Sequence, residues 1–127
     1  MNQAERGFSV AFATALLSDA PRCGLRTGAA LYSGSRLLAV GANRWHSHPG
    51  SNNREFNRSF HAEHVALVRR KHYDSANRLT LYVGRMRDDG TPGCSRPCGN
   101  CWSLCKLAGV YRVKFYDENG KQREVTL

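Results

Sequence analysis

A chain of 127 residues, 41% of them hydrophobic and 23% charged, makes one ordinary domain over residues 1–127, large enough to bury about two-thirds of its unfolded surface without staples. No apolar run is long enough for a signal peptide or a membrane span, so a soluble, cytoplasmic protein is expected. The formal charge of +9 implies attraction to polyanions or to a phosphorylated substrate; a basic surface that only serves solubility is the plainer alternative, since the Lys and Arg residues are spread along the chain and form no tail.

Asn2 with Glu5 three residues on is a capping box, and Phe8, Ala11, Phe12, Ala15 and Leu16 recur at helical spacing, which predicts a first helix over 3–18. Asp19-Ala20-Pro21 breaks it. The short apolar runs 28–32 and 37–40 flank Ser33-Gly34-Ser35 and read as a hairpin. Residues 45–60 form a polar stretch in which Trp45, Phe56 and Phe60 are interleaved with Arg54 and Arg58. Such a stretch suits a lid that stacks on a base and touches phosphate, or one that packs its aromatics on the body.

A second helix is expected from His61 to about residue 73, a third strand over 79–83, and a loop with breakers Gly90, Pro92 and Gly93 over 85–97. Pro97 suits the first position of a third helix, which puts Cys98 and Cys101 on one face and ends near Gly109. Strands over 110–115 and 124–127 follow, joined by the turn Asp117-Glu118-Asn119-Gly120. So short a connection makes the last two strands antiparallel, because a parallel pair needs a crossover of a dozen residues or more.

Two segments carry chemistry, His61-Ala62-Glu63 and Pro97-Cys98-Gly99-Asn100-Cys101. One histidine and two cysteines are three zinc ligands, and a fourth position left open is the mark of a catalytic site. The five cysteines are an odd number with two in a C-x-x-C, which fits reduced thiols on a metal better than a disulfide framework. A rival reading takes Cys94, Cys98, Cys101 and Cys105 as a structural zinc site, but its spacing is irregular and it leaves His61 and Glu63 unexplained. Cys105 reads as a small core residue, Cys23 and Cys94 as bystanders, and His46, His48 and His64 as surface residues.

H-x-E followed by P-C-x-x-C is the signature of the zinc-dependent base deaminases, and the chain resembles the cytidine deaminase-like superfamily from about residue 27 onward. The resemblance implies an α/β, three-layer fold, a mixed five-stranded sheet flanked by helices with the C-terminal strands as an antiparallel hairpin. It implies Zn2+ held by His61, Cys98 and Cys101, with Glu63 as the catalytic acid and base. Two thiolates formally cancel the charge of the ion, so its water is acidified less than by a three-histidine site and a base such as Glu63 is needed. Asn43 matches the family's G-x-N, whose asparagine reaches a sugar hydroxyl, although a plain turn asparagine reads nearly as well. Ala62, Trp45 and Arg96 are the other candidate substrate contacts. Arg96 stands where many relatives have glutamate, and meets either a substrate phosphate or solvent.

On substrate the resemblance divides. A histidine ligand is similar to the deoxycytidylate, transfer-RNA adenosine and polynucleotide cytosine branches, whereas the antiparallel C-terminal hairpin is similar to the free-nucleoside branch and to small bacterial toxin-type deaminases. Taken together, the expectation is a zinc-dependent hydrolase that turns cytosine into uracil in a free nucleoside or nucleotide, deoxycytidylate-like, working as a homo-oligomer. The alternatives are cytosine or adenine deamination on single-stranded DNA or RNA by a monomer, and a non-catalytic nucleic-acid binder with a structural zinc.

Overall fold

The computed structural model describes residues 1–18, 26–44, 61–70 and 78–127. The first helix, α1 (Gln3–Ala15), starts where expected: Asn2 Oδ1 accepts from the Glu5 amide at 2.8 Å, and the Asn2 side-chain amide donates back to Glu5 at 3.3 Å. It stops three residues short of 18 because Ser18 turns away, its hydroxyl donating to the Asn43 carbonyl at 2.9 Å. Strands β1 (Arg26–Ser33) and β2 (Arg36–Ala42) form the expected hairpin. Helix α2 (Ala62–Arg69) follows, capped by His61. Arg70 is already extended at ψ 150°, so the helix ends before 73, and Lys71, His72 and Tyr73 lie outside the described residues.

Strand β3 (Leu79–Met86) is longer than expected. What reads as an unbroken loop over 85–97 contains a two-residue strand, β4 (Pro92–Gly93), paired antiparallel to the end of β3 through Arg85 and Gly93. Helix α3 (Gly99–Leu107) begins two residues after Pro97, not on it. Cys98 is its N-cap, extended at φ −75° and ψ 170°, and its thiol is turned to His61. Gly109, at φ 84°, closes α3 in the left-handed conformation that favours glycine. Strands β5 (Val110–Tyr116) and β6 (Gln122–Thr126) complete the chain.

The strand order is β2-β1-β3-β5-β6, with β4 on the flank of β3. Strands β3 and β5 are parallel, joined through α3, and the other pairs, β5–β6 included, are antiparallel. The sheet is mixed, as expected, with β4 as a sixth strand.

Alternation along β1 and β3 sends side chains to two cores. Ala30, Tyr32 and Tyr82 face α1 and meet Phe8 and Ala11, while Leu31, Leu81 and Val83 face α2 and α3 and meet Ala66, Leu67 and Cys105. Helices therefore cover both faces of the central strands, which makes three layers. The α2 backbone lies directly on β2. A Cβ at Gly41 would stand 2.4 Å from the Ala66 nitrogen and 2.7 Å from the Ala62 carbonyl oxygen, so only glycine admits the helix at this depth. No described helix is long and apolar enough to cross a membrane.

Candidate active site

Both ligand-bearing segments contain a helix N-cap, His61 in one and Cys98 in the other, and in neither does the cap side chain bond its own helix. The side chains turn toward each other instead. His61 Nδ1 lies 3.2 Å from Cys101 Sγ and 3.6 Å from Cys98 Sγ, and the three donor atoms fall within 4.8 Å of one another. A tetrahedron with zinc–sulfur and zinc–nitrogen bonds of ordinary length has edges of roughly 3.5–3.8 Å, so this donor set fits that ion. The two residues between Cys98 and Cys101 place both thiols on the first turn of α3, where the helix end favours thiolate. Burial, and then the nearby Glu63 carboxylate and Cys98, push the Cys101 thiol well above the ordinary range, which a divalent cation at this point would reverse.

Glu63 sits in the first turn of α2 and is 4% exposed. Burial pushes its carboxyl above the usual range, opposed by its own backbone amide, by His61 and by a hydrogen bond with Cys101. The four-cysteine alternative fails on position. Cys105 is fully buried in the α2/α3 core, its thiol pushed up to about 12 by burial and then by Glu63, and Cys94 lies beside Glu118, with 3.8 Å between its sulfur and Oε2. His64 is exposed and is not among the grouped donors.

His61 and Cys98 open onto a cavity of about 360 Å³ whose wall also includes Asn43, Ala62, Glu63 and Arg96. Asn43 Oδ1 accepts from the Thr27 amide at 2.9 Å, which pins the carboxamide at that wall. The Arg96 guanidinium lies 4.9 Å from the centre of the Phe115 ring and 3.5 Å from the Glu118 carboxylate, both of these charged groups being largely exposed. Trp45 and the rest of 45–60, with His46, His48, Arg54, Phe56, Arg58 and Phe60, lie outside the described residues, as does Cys23.

Three residues of this wall went unread in the sequence, Thr27, Arg85 and Ser95, and Cys94, read there as a bystander, also lines it. For Arg85 a signal exists. The alternation Leu79, Leu81, Val83 extends one step further, which puts Arg85 on the α2/α3 face, opposite Thr27 on β1. Ser95 gives no such signal. It is 5% exposed, its hydroxyl donating to Val83 O at 2.7 Å and accepting from Tyr116 N at 2.9 Å, and so it fixes the segment that presents Arg96 and Cys98 to β3 and β5.

The family model for the cytidine and deoxycytidylate deaminase zinc-binding region matches residues 1–117. The chain belongs to this deaminase family. Its solved neighbours share the deaminase fold. A cytidine deaminase from Burkholderia pseudomallei superposes with a TM-score of 0.69 at 20% identity, over 99% of this chain and 93% of that one. A cytidine deaminase from Mycobacterium leprae gives 0.64 at 21%, over 98% and 94%. A dCMP deaminase from the cyanophage S-TIM5 gives 0.60 at 23%, over 87% and 79%. No curated protein matches the chain by sequence. As a member of this family the deaminase is a zinc-dependent hydrolase, and its His61, Cys98 and Cys101 form a group able to bind the ion.

Proposed function

We propose that this deaminase hydrolyses the amino group of cytosine in a free deoxycytidylate-like nucleotide, releasing uracil nucleotide and ammonia. One observation carries the reading: a single cavity joins His61 and Cys98, two of the three zinc donors, and buried Glu63 to the guanidinium-bearing Arg85 and Arg96. A nucleoside monophosphate matches that combination, with its base toward Glu63 and its phosphate toward the arginines, and a cavity of about 360 Å³ is of the size small ligands occupy. That a cyanophage relative has been solved in complex with dCMP and dUMP supports the substrate class by analogy.

His61, Cys98 and Cys101 would hold a zinc ion, which would supply Lewis acidity toward the attacking water. Glu63 takes one proton from the attacking water and delivers it to the ring nitrogen N3 as the hydroxyl bonds to C4, then moves the proton of that C4 hydroxyl to the amine as the C4–N bond breaks and ammonia leaves. Each step needs a carboxyl that holds and releases a proton near neutral pH, and burial of Glu63 raises its pKa in that direction. Asn43, held by Thr27, and Ala62 line the same cavity, and in this reading Asn43 meets a sugar hydroxyl and Ala62 packs against the base.

The test is a competition. Zinc-loaded protein is given deoxycytidine, its monophosphate and a cytosine-containing single-stranded oligonucleotide together, and products are read by mass spectrometry. Conversion of the monophosphate ahead of the other two is expected. In Arg85→Ala and Arg96→Ala the KM for the monophosphate rises about tenfold while that for the nucleoside holds. Uracil appearing in the oligonucleotide alone would overturn the free-nucleotide reading in favour of a strand editor.

A further inference from the structure

The segment that leads into α3 meets the β5–β6 turn beside the zinc cavity. Glu118, in that turn, is not part of the cavity wall, yet its carboxylate stands against two residues that are. Its Oε2 lies 3.5 Å from the Arg96 guanidinium and 3.8 Å from the Cys94 thiol.

Both members of the Arg96–Glu118 pair are held in place by their surroundings. Asp117, next to Glu118, is buried and accepts from the amides of Asn119 and Lys121 and from the Arg123 guanidinium, and Gly120 completes the turn at φ 76°. Glu118 therefore projects from a braced turn. Arg96 has its guanidinium 4.9 Å from the centre of the Phe115 ring, which in turn meets the Trp102 ring edge to face at 5.8 Å. Stacking takes up the flat face of a guanidinium and leaves its N–H edge to anions. One anion on that edge is Glu118, and a substrate phosphate in the cavity would be the second.

For folding, the pair contributes next to nothing, because both side chains are largely exposed. Toward a bound anion the same carboxylate matters more, since repulsion between like charges needs no close fit and falls off only gradually with distance. A phosphate bonded to Arg96 lies about one guanidinium's width from Glu118. We propose that Glu118 is a specificity-determining residue that limits the charge of the phosphate group the cavity accepts, favouring a nucleoside monophosphate over the di- and triphosphate. This rests on the free-nucleotide reading above. A monophosphate carries about two negative charges at neutral pH, which Arg85 and Arg96 answer. Every phosphate added to it brings more, and the described wall holds no further Lys or Arg to meet them, while Glu118 stands beside them.

The experiment measures kcat/KM of the zinc-loaded protein for deoxycytidine mono-, di- and triphosphate. The quantity read is the triphosphate-to-monophosphate ratio within one preparation, so that any loss of folded enzyme cancels. In the unaltered protein the ratio is well below one. Glu118→Gln keeps the shape, removes the charge and raises the ratio roughly three- to tenfold, and Glu118→Lys raises it further. Glu118→Asp, which restores the charge, brings it back toward the original value. The gap between the unaltered protein and Glu118→Gln narrows with added salt, which screens an exposed charge. A ratio that stays put in both Glu118→Gln and Glu118→Lys overturns the proposal. So does a ratio that falls in Glu118→Gln, which would make the carboxylate a support for Arg96. The reading beneath it fails differently: an unaltered protein that turns over deoxycytidine or an oligonucleotide and none of the three nucleotides overturns the free-nucleotide reading and this proposal with it.

Discussion

Glu63 shares its surroundings with a buried thiol on one side and the cavity on the other, and its carboxyl is held protonated more readily than an exposed one. In the proposed mechanism it moves every proton, so Glu63→Ala is expected to lower kcat by roughly 10²- to 10⁴-fold. Zinc content, measured by metal analysis of the same preparation, stays at one per chain, because Glu63 is not among the donor atoms. Normal turnover in that variant would remove Glu63 from the mechanism. The donors and Glu63 were legible in the sequence because their chemistry is local: H-x-E and C-x-x-C each set two groups a fixed distance apart on one turn of helix. Thr27, Arg85 and Ser95 were not, because they reach the cavity only through the pairing of β1 with β3 and the bridge between Val83 and Tyr116.

Among elements, α2 decides where His61 and Glu63 stand, and its depth is fixed by contact with Gly41. Gly41→Ala puts a methyl against the Ala66 amide and pushes the helix off β2. A loss of about 1–3 kcal/mol in chemical denaturation is expected, together with weaker zinc binding in a chelator competition. The β5–β6 turn makes a separate prediction. Asp117, nearly inaccessible, accepts from Asn119 N at 2.9 Å, Lys121 N at 3.0 Å and Arg123 Nε at 2.8 Å. The Lys121 amide, followed by the Arg123 guanidinium and the Asn119 amide, holds its carboxyl below the usual range against the effect of burial. With the folded value depressed, the contribution is complete above the unfolded carboxylate pKa of roughly 3.9 and is lost as pH falls through the folded value. Asp117→Asn is therefore expected to lower the melting temperature at pH 7 and to flatten its decline below about pH 4, as thermal scans across pH would show. Elements were legible where a pattern was local, as in the capping box of α1 and the tight β5–β6 turn. Their ends were misread where a tertiary contact decides them, as with Ser18 on Asn43 and Cys98 facing His61.

At the scale of the whole molecule, the zinc donors join segments that only the finished sheet brings together, His61 lying 37 positions before Cys98 and 40 before Cys101. An ion that binds the folded chain more tightly than the unfolded one stabilises it by mass action, by at most about 2.7 kcal/mol at a hundredfold excess over Kd. Chelation is thus expected to lower the melting temperature and added zinc to restore it, with Cys98→Ala abolishing the difference. The layered arrangement was readable from the order of helices and strands, whereas the cavity lined by Arg78 and Arg112 was not, since these two meet only through the parallel pairing of β3 with β5. That same non-local pairing bears on how the protein is prepared. An unfolded chain with five cysteines and five histidines offers an ion many mistaken partners, the neighbouring Cys98 and Cys101 among the first to be captured, while the correct third donor waits on slow strand assembly. Order of addition then governs yield: chain first and metal second gives the native enzyme, and metal supplied at the outset holds part of the population in wrongly ligated forms.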